Sequence, residues 1–477
     1  MNMTNRDEYD VIIVGGGFCG TMVAVHLAQA QSGLRIALVE RERTVGRGLA
    51  YGTKDPRHLL NVRANQMGAF PDDIEHFYRW TQRHPERAQL AGLGRIAAHD
   101  FVPRQLYGDY LQDLFATARE AAPALEIIRD ELVDLMRADG DCFIARTNRG
   151  RTLRAGKVVL ALGNFPPGDS EDNQWPWFSN NPYDPEVHRR LTEPGDVLLI
   201  GTGLTSLDVI QSVEAAKKEG IIHVLSRSGR FPQEHRKVTP LASFLDPESL
   251  PKTARELLRR FREELHRAEC RGIDWRAVVD SIRPHTQRVW QNLPVVEQQR
   301  FLRHLAGRWD VHRHRCAPEI LARKLKLERE GRLVCHTGRI LGYETVGTEV
   351  EVTYRPRGEH GVRRFRVRRV LSCTGPQADY RKLQDPLVQA VLRRNLIGLD
   401  PLNIGLLADG NGQVRSMEGE PIRGLYAVGS LLRGRLYESI AVPELRTQAK
   451  DVSDQVLRHV GATVSDSQNC ALIPILP

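Results

Sequence analysis

No two cysteines in the chain are placed to act as a redox pair. Cys19, Cys142, Cys270, Cys316, Cys335, Cys373 and Cys470 are scattered, with no Cys-x-x-Cys among them. Their spacing excludes the dithiol chemistry of disulfide-reducing flavoenzymes, and an odd, unpatterned set points to reduced thiols instead of a disulfide frame. No apolar run approaches the ~20 residues that a membrane helix requires, and Met1 to Asp10 is polar, without a signal-like core. No membrane association and a cytoplasmic location are the expectations. Gly-x-Ser-x-Gly, His-Glu-x-x-His and cysteine/histidine clusters of metal spacing are also missing. No metal is expected, since His312 and His314 alone make a poor site.

At 477 residues the chain is too long for one core, and ~100–200 residues per domain gives two or three units. A hydrophobic share of 41% against 27% charged is ordinary for a soluble globular protein and excludes general disorder. The formal charge of +9 includes an Arg-rich stretch, Arg363 to Arg369, but no nucleic-acid-binding motif or aromatic platform accompanies it. Attraction for anionic cofactors or substrates accounts for the charge equally well, so no nucleic-acid partner is expected.

From Tyr9 the sequence reads as strand, glycine turn, helix (Thr21 to Ala30) and a second strand ending on Glu40. In the turn Gly15-Gly16-Gly17-Phe18-Cys19-Gly20, Gly15 permits the tight bend, Gly17 lets backbone approach a pyrophosphate, and Gly20 allows close helix packing. The helix N-terminus offers free N–H groups and a positive dipole end to phosphates. Glu40 is placed to accept hydrogen bonds from ribose hydroxyls.

The same pattern returns in Val197 to Ile200, Gly201-Thr202-Gly203-Leu204-Thr205-Ser206, a helix to about Glu219 and a strand Ile221 to Leu225. Ser206 replaces the third glycine, and Ser226, Arg227 and Ser228 follow the strand in place of an acid. An acid would repel a 2′-phosphate, whereas Arg227 between two hydroxyls could bind one, so NADPH is favoured over NADH. The competing reading of Arg227 is a solvated loop charge.

Each copy continues into a β-rich excursion. Strands Leu125 to Val133, Cys142 to Thr147 and Val158 to Leu162 surround turns at Asp139-Gly140 and Asn148 to Gly150 and close on Gly163. Strands Leu333 to Ile340, Val350 to Tyr354 and Val367 to Cys373 close on Gly375. Between the second turn and its excursion, residues 251–327 show apolar stripes at helical spacing, such as Leu257, Leu258, Phe261 and Leu265. The expected fold is α/β, with two nested Rossmann-like dinucleotide-binding domains for FAD and NAD(P) and a helical insertion in the second. Residues 1–165 form the first part of the FAD domain and 195–375 the NAD(P) domain. Residues 376–477 return to the first, through a strand ending at Gly429, then Ser430 and a helix from Ala441 to Val452.

Beyond these elements, Gly46 to Gly52, His58 to Val62, Phe70 to Asp73, Trp309 to His314 and Gly434 to Glu444 resemble the bacterial FAD-NAD(P)-binding protein family. These are two-dinucleotide-domain flavoproteins related to flavin-dependent monooxygenases. The resemblance implies that the Gly163 strand end crosses near the domain junction and that Gly429 lies beside the flavin ribityl chain. Ser430 stands where many flavoproteins carry Asp. The Phe-x-Gly-x-x-x-His-x-x-x-Trp fingerprint of Baeyer–Villiger enzymes is absent from the linker, Asn164 to Asp169 and Trp175 to Phe178.

Asn61, in the segment after the first βαβ unit, is the candidate for a catalytic hydrogen bond to flavin or substrate; its alternative is a loop Asn bonding its own backbone. Tyr51, Arg313, Tyr437 and Glu438 are lesser candidates. The favoured function is an NADPH-dependent FAD oxidoreductase, a monooxygenase of N-hydroxylase type that oxygenates a small polar substrate through a C4a-(hydro)peroxyflavin. A reductase without productive oxygen use and a flavin-holding redox sensor without turnover remain open.

Overall fold

The first apolar run becomes a central strand because Val11 to Val14 can be buried on both faces of a parallel sheet, and all four are. The computed structural model describes residues 7–30, 33–138, 141–167, 175–216, 219–438 and 440–467. Strand β1 (Glu8–Val14) pairs in parallel with β2 (Ile36–Val39), and β2 with β3 (Leu125–Ile128). The antiparallel excursion β4 (Leu132–Ala138) and β5 (Cys142–Thr147) leads to β6 (Thr152–Leu160), which returns parallel to β1. The helix Phe18–Ala30 crosses from β1 to β2 and packs against the helices Arg104–Ala121 and Val442–Ser467, which is why it is buried almost all round.

A second sheet has the order β12-β11-β10-β9-β8-β13-β7. It contains β7 (Phe178–Ser179), β8 (Val197–Ile200), β9 (Ile222–Ser226), β10 (Leu333–Val346), β11 (Glu349–Pro356), β12 (Arg363–Val367) and β13 (Arg369–Ser372). Leu333–Thr337 of β10 pairs in parallel with β9, and Gly338–Val346 turns into an antiparallel ladder with β11. The chain then re-enters the first sheet with β14 (Gln413–Arg415) and β15 (Pro421–Ala427). Strand β15 lies parallel to β6, and the path reads β14-β15-β6-β1-β2-β3.

Two of the expected strands are broken, each by a specific hydrogen bond. Leu125 to Val133 divides at Asp130, whose carboxylate accepts the N–H groups of Glu131 (2.8 Å) and Arg149 (3.2 Å). Val367 to Cys373 divides at Arg368, whose N–H donates to the Asp196 carbonyl (2.7 Å). The turn expected at Asp139-Gly140, the end of the linker at Gly168-Asp169, Cys470, and residues 217–218 of the second turn's helix lie outside the described residues.

The insertion is helical: Ala254–Cys270, Trp275–Ile282, Thr286–Asn292, Val295–His304, Ala306–Arg313 and Pro318–Arg329. Thr253 and Asp274 cap the first two by accepting the N–H groups of Glu256 and Arg276. Leu257, Phe261 and Trp309 pack on a core of Leu245, Ile282 and Val289, so that stripe is core. The Arg-rich stretch forms the edge strand β12 and its exit. Arg363 pairs with Glu359, Arg364 and Arg366 face Glu351, and Arg368 and Arg369 meet Glu193. The cations are locally compensated and guard an edge against pairing. Among the described residues no helix is long and apolar enough to cross a membrane.

The chain divides into two units, Met1–Lys54 with Arg63–Asn164 and Ala378–Pro477, and Asp55–Val62 with Phe165–Gln377. The sequence reading assigns 55–62 to the first domain. The structure groups it with the second because Asp55 and His58 both bond Ser212 of the helix Leu204–Ala216.

Candidate functional site: two glycine turns

In the first unit the ends of β1, β6 and β15 lead into Gly15, Gly163 and Gly429, all in the left-handed region (φ +100°, +68° and +80°). A Cβ on Gly15 would stand 2.4 Å from the Ala161 carbonyl oxygen, and one on Gly20 1.8 Å from that of Gly15. Protein packing alone therefore demands glycine at both positions. Gly17 differs, because an added Cβ would meet only the Gly48 Cα at 3.8 Å. The space outside Gly17, at the N-terminus of the helix Phe18–Ala30, is left open by the fold. This is the geometry of a phosphate cradle.

Glu40, at the end of β2, is buried, and its carboxylate fixes the turn. Oε2 accepts the Gly16 N–H (2.5 Å) and Oε1 accepts the Glu42 N–H (2.7 Å). Each oxygen keeps a lone pair for a ribose hydroxyl. The Ser430 hydroxyl donates to the Gly163 carbonyl (2.6 Å), and Gln448 Oε1 accepts the Gly429 N–H (3.1 Å), which fixes the two neighbouring strand ends.

Sequence reasoning missed two side chains here. Arg47 donates to Gln112 Oε1 (2.8 Å) and to Asp109, holding the Gly46–Gly52 loop whose Gly46 N–H bonds Gly16 (2.8 Å). Its position between two glycines was the available signal. The Tyr107 ring lies 6.3 Å from Phe18 and 4.7 Å from Tyr51, and its hydroxyl is buried without a hydrogen-bond partner among the described residues. Only helical spacing pointed to it. Glu438 is buried at φ +67°, a costly backbone for a residue with a Cβ.

The second turn repeats the first with one change. Gly201 has φ +107°, and a Cβ there would stand 2.7 Å from the Cys373 carbonyl oxygen; around Gly203 nothing lies within 4 Å. Ser206 donates its hydroxyl to the Gly201 carbonyl (2.6 Å) while fully buried. In the position of Glu40 stands Ser226, which accepts from Thr202 (3.1 Å) and the Gly229 N–H (2.9 Å). Arg227 is exposed and makes no side-chain hydrogen bond or ion pair among the described residues. Burial pushes the Cys19 and Cys373 thiols, one beside each turn, up to about 12, so neither is a thiolate near neutrality.

Asn61 lies in the second unit. Its backbone carbonyl accepts from His235 Nε2 (2.9 Å), and its half-buried carboxamide makes no hydrogen bond among the described residues. His235 is held in turn by its N–H to the Cys316 carbonyl (3.0 Å), and Arg276 Nε donates to the adjacent Glu234 carbonyl (2.9 Å). The helical insertion therefore positions Asn61. Arg63, Gln66 and Met67 belong to the first unit, where Arg446 donates to the carbonyls of Gly68 (3.0 Å) and Gln66 (3.4 Å). Asp55, His58 and Ser212 have the composition of a hydrolytic triad but not its order. Carboxylate (2.6 Å) and imidazole (2.8 Å) meet the same hydroxyl, and His58 and Ser212 are inaccessible. This cluster ties a chain segment to a helix.

Residues 12–165 match the family described as FAD-NAD(P)-binding. The soluble pyridine nucleotide transhydrogenase of Vibrio parahaemolyticus is 26% identical over 207 residues, 42% of this chain and 40% of that one. The Baeyer-Villiger monooxygenase ATR8 of Stachybotrys chlorohalonatus is 26% identical over 241 residues, 46% of this chain and 34% of that one. The chain thus spans well under half the length of either relative. Among solved structures, the ornithine N-hydroxylase of Kutzneria sp. 744 superposes with a TM-score of 0.65 at 16% identity, over 95% of this chain and 99% of that one. The fold is that of the two-dinucleotide-domain flavoproteins.

Proposed function

The chain carries an FAD-NAD(P)-binding domain at residues 12–165, and from that premise we propose that it is an FAD-dependent oxidoreductase, reduced by NADPH, that oxygenates a small polar amine. One observation supports this reading above the rest: each unit holds a glycine, Gly17 or Gly203, that the protein's own packing does not require. Gly15 to Gly17 and the start of the helix Phe18–Ala30 would hold the FAD diphosphate, Glu40 its ribose, and the strand ends at Gly163 and Gly429–Ser430 its ribityl chain. Gly201, Gly203, Ser206 and the helix Leu204–Ala216 would hold the NADPH diphosphate, with Arg227 on the 2′-phosphate. When bound, the flavin supplies hydride acceptance and electron delivery to dioxygen.

The chain's own tasks are then placement and electrostatics. Two helix N-termini would offset the diphosphate charges, the Glu40 and Ser430 bonds brace the strand ends, and the Asn61 carboxamide, without a hydrogen bond among the described residues, would orient the substrate. For an amine the balance is R–NH2 + O2 + NADPH + H+ giving R–NHOH + H2O + NADP+. A reductase that makes no productive use of oxygen is the second reading, supported by the transhydrogenase among the curated relatives. Stopped-flow reduction by NADPH and by NADH, followed by oxygenated buffer with a panel of diamines and basic amino acids, tests the choice. Hydroxylamine formed in step with NADPH and oxygen consumption is the expected result. Turnover with an added acceptor, undiminished without oxygen and yielding no hydroxylated product, would establish the reductase instead.

A further inference from the structure

At the opposite end of the first sheet from the glycine turn lies a cavity of about 560 Å³ lined by Arg137, Asp141, Gln413, Pro421, Arg423 and His459. Arg423 and Gly429 are six residues apart on and just beyond β15, roughly 20 Å at strand rise, so the cavity is separate from the flavin cradle. Its volume falls within the ~300–1,000 Å³ of small-molecule sites.

Among the described lining residues cations outnumber carboxylates. Arg137 and Arg423 (3.4 Å) share a single carboxylate, Asp141. Behind them on β6 sits Lys157, only 3% exposed, whose ammonium has no hydrogen bond or ion pair among the described residues. It feels both lining charges, Asp141 and Arg423, and burial lowers its pKa, as expected for an ammonium lacking a counter-ion. The aliphatic chain of Lys157 runs beside Gly424 (φ +82°), where a Cβ would stand 2.7 Å from the Gly156 carbonyl oxygen and 3.4 Å from Lys157 Cδ. No side chain at position 424 can fill the space or supply an acid. His459 is anchored, with Nδ1 2.7 Å from the Tyr426 hydroxyl and 2.9 Å from the Gln455 carbonyl.

A buried cation costs several kcal/mol unless paired; Lys157 is such a cation, and among the described lining residues the two arginines in front of it share one carboxylate, Asp141. We propose that this cavity binds a small di- or trianion bearing carboxylate or phosphate groups, with Arg137 and Arg423 gripping the oxyanions and Lys157 neutralising them from behind. The site is independent of the oxidoreductase reading, which concerns the other end of the sheet.

Calorimetric titration of the FAD-loaded protein with tricarballylate and, separately, with pyrophosphate tests it. Saturable binding of at least one probe, weakened tenfold or more by Arg423→Glu and by Lys157→Met with flavin content unchanged, is the expected result; the tighter probe names the oxyanion. The Arg423 side chain is 72% exposed, so Arg423→Glu should fold normally, which its melting temperature checks. Absence of saturable binding by both probes would overturn the proposal. So would equal affinity in Arg423→Glu, or binding lost in Arg227→Ala instead, which would place the anion at the nucleotide turn.

Discussion

The two glycine turns follow one backbone path and are closed differently. In the first, Gly20 stands so near the Gly15 carbonyl that no side chain fits, and a buried carboxylate, Glu40, clamps the bend from the next strand. In the second, a serine takes the place of Gly20 and bonds the same carbonyl through its hydroxyl, while a neutral Ser226 replaces the acid. The first turn is closed by backbone packing and by a buried carboxyl group. The second is closed by hydroxyl bonds, and Arg227 follows Ser226. A cofactor held permanently and one that comes and goes would use such a pair.

The sharpest way to break this comparison is to exchange the closing residues. Gly20→Ser should cost more than about 3 kcal/mol through overpacking and yield colourless or insoluble protein, whereas Ser206→Gly should cost about 1 kcal/mol. Flavin absorbance and melting temperature read both, and equal costs would remove the distinction. Next in size, Glu40→Gln should destabilise by about 2 kcal/mol, since one oxygen that accepted a backbone N–H becomes an amide donor. Ser226→Ala should stay within about 1 kcal/mol of the parent.

Arg227→Ala should raise the KM for NADPH about tenfold, on the order of 1.4 kcal/mol, and leave that for NADH unchanged; parallel changes would make Arg227 a general anchor. Gly203→Ala should raise the KM for both nicotinamides several-fold with no change in melting temperature, and Gly17→Ala should do the same to flavin affinity. The smallest effect is on pH dependence, and in the second unit it rests on a pair of histidines. Burial pushes His336 down to about 4 and also lowers His223; the two rings are hydrogen-bonded at 2.9 Å, with Asp196, Tyr354 and Arg363 around them. A histidine depressed in the folded state contributes fully above its unfolded value of about 6.5. That stability is lost as pH falls from there toward 4. Melting temperature should decline over that window, and less steeply in His336→Phe.

What the sequence made legible was local. Val11 to Val14, the glycines and the helical stripes of the insertion announce themselves by periodicity and residue type, because burial on both faces and positive φ leave few alternatives. What it concealed depends on distant partners. Nothing near Asp55 or His58 points to Ser212, 157 and 154 residues away, so the segment carrying Asn61 reads as part of the first domain. Arg47 and Tyr107 escaped for the same reason, since the helix Arg104–Ala121, which holds the partners of the one and carries the other, is not predicted by the glycine turn. Spacing singles out Glu40, but its bonds to Gly16 and Glu42 cannot be read from spacing alone.

The bond from Ser430 to Gly163 spans 267 residues, and this orders events at the ribosome. At roughly 5–20 residues per second, the β6 end waits on the order of ten seconds to a minute before the last strand arrives beside it, and the opening glycines and Glu40 wait longer. Until then the nascent first unit lacks β15 and the Ser430 bond, and its sheet is completed only after synthesis of the entire second unit.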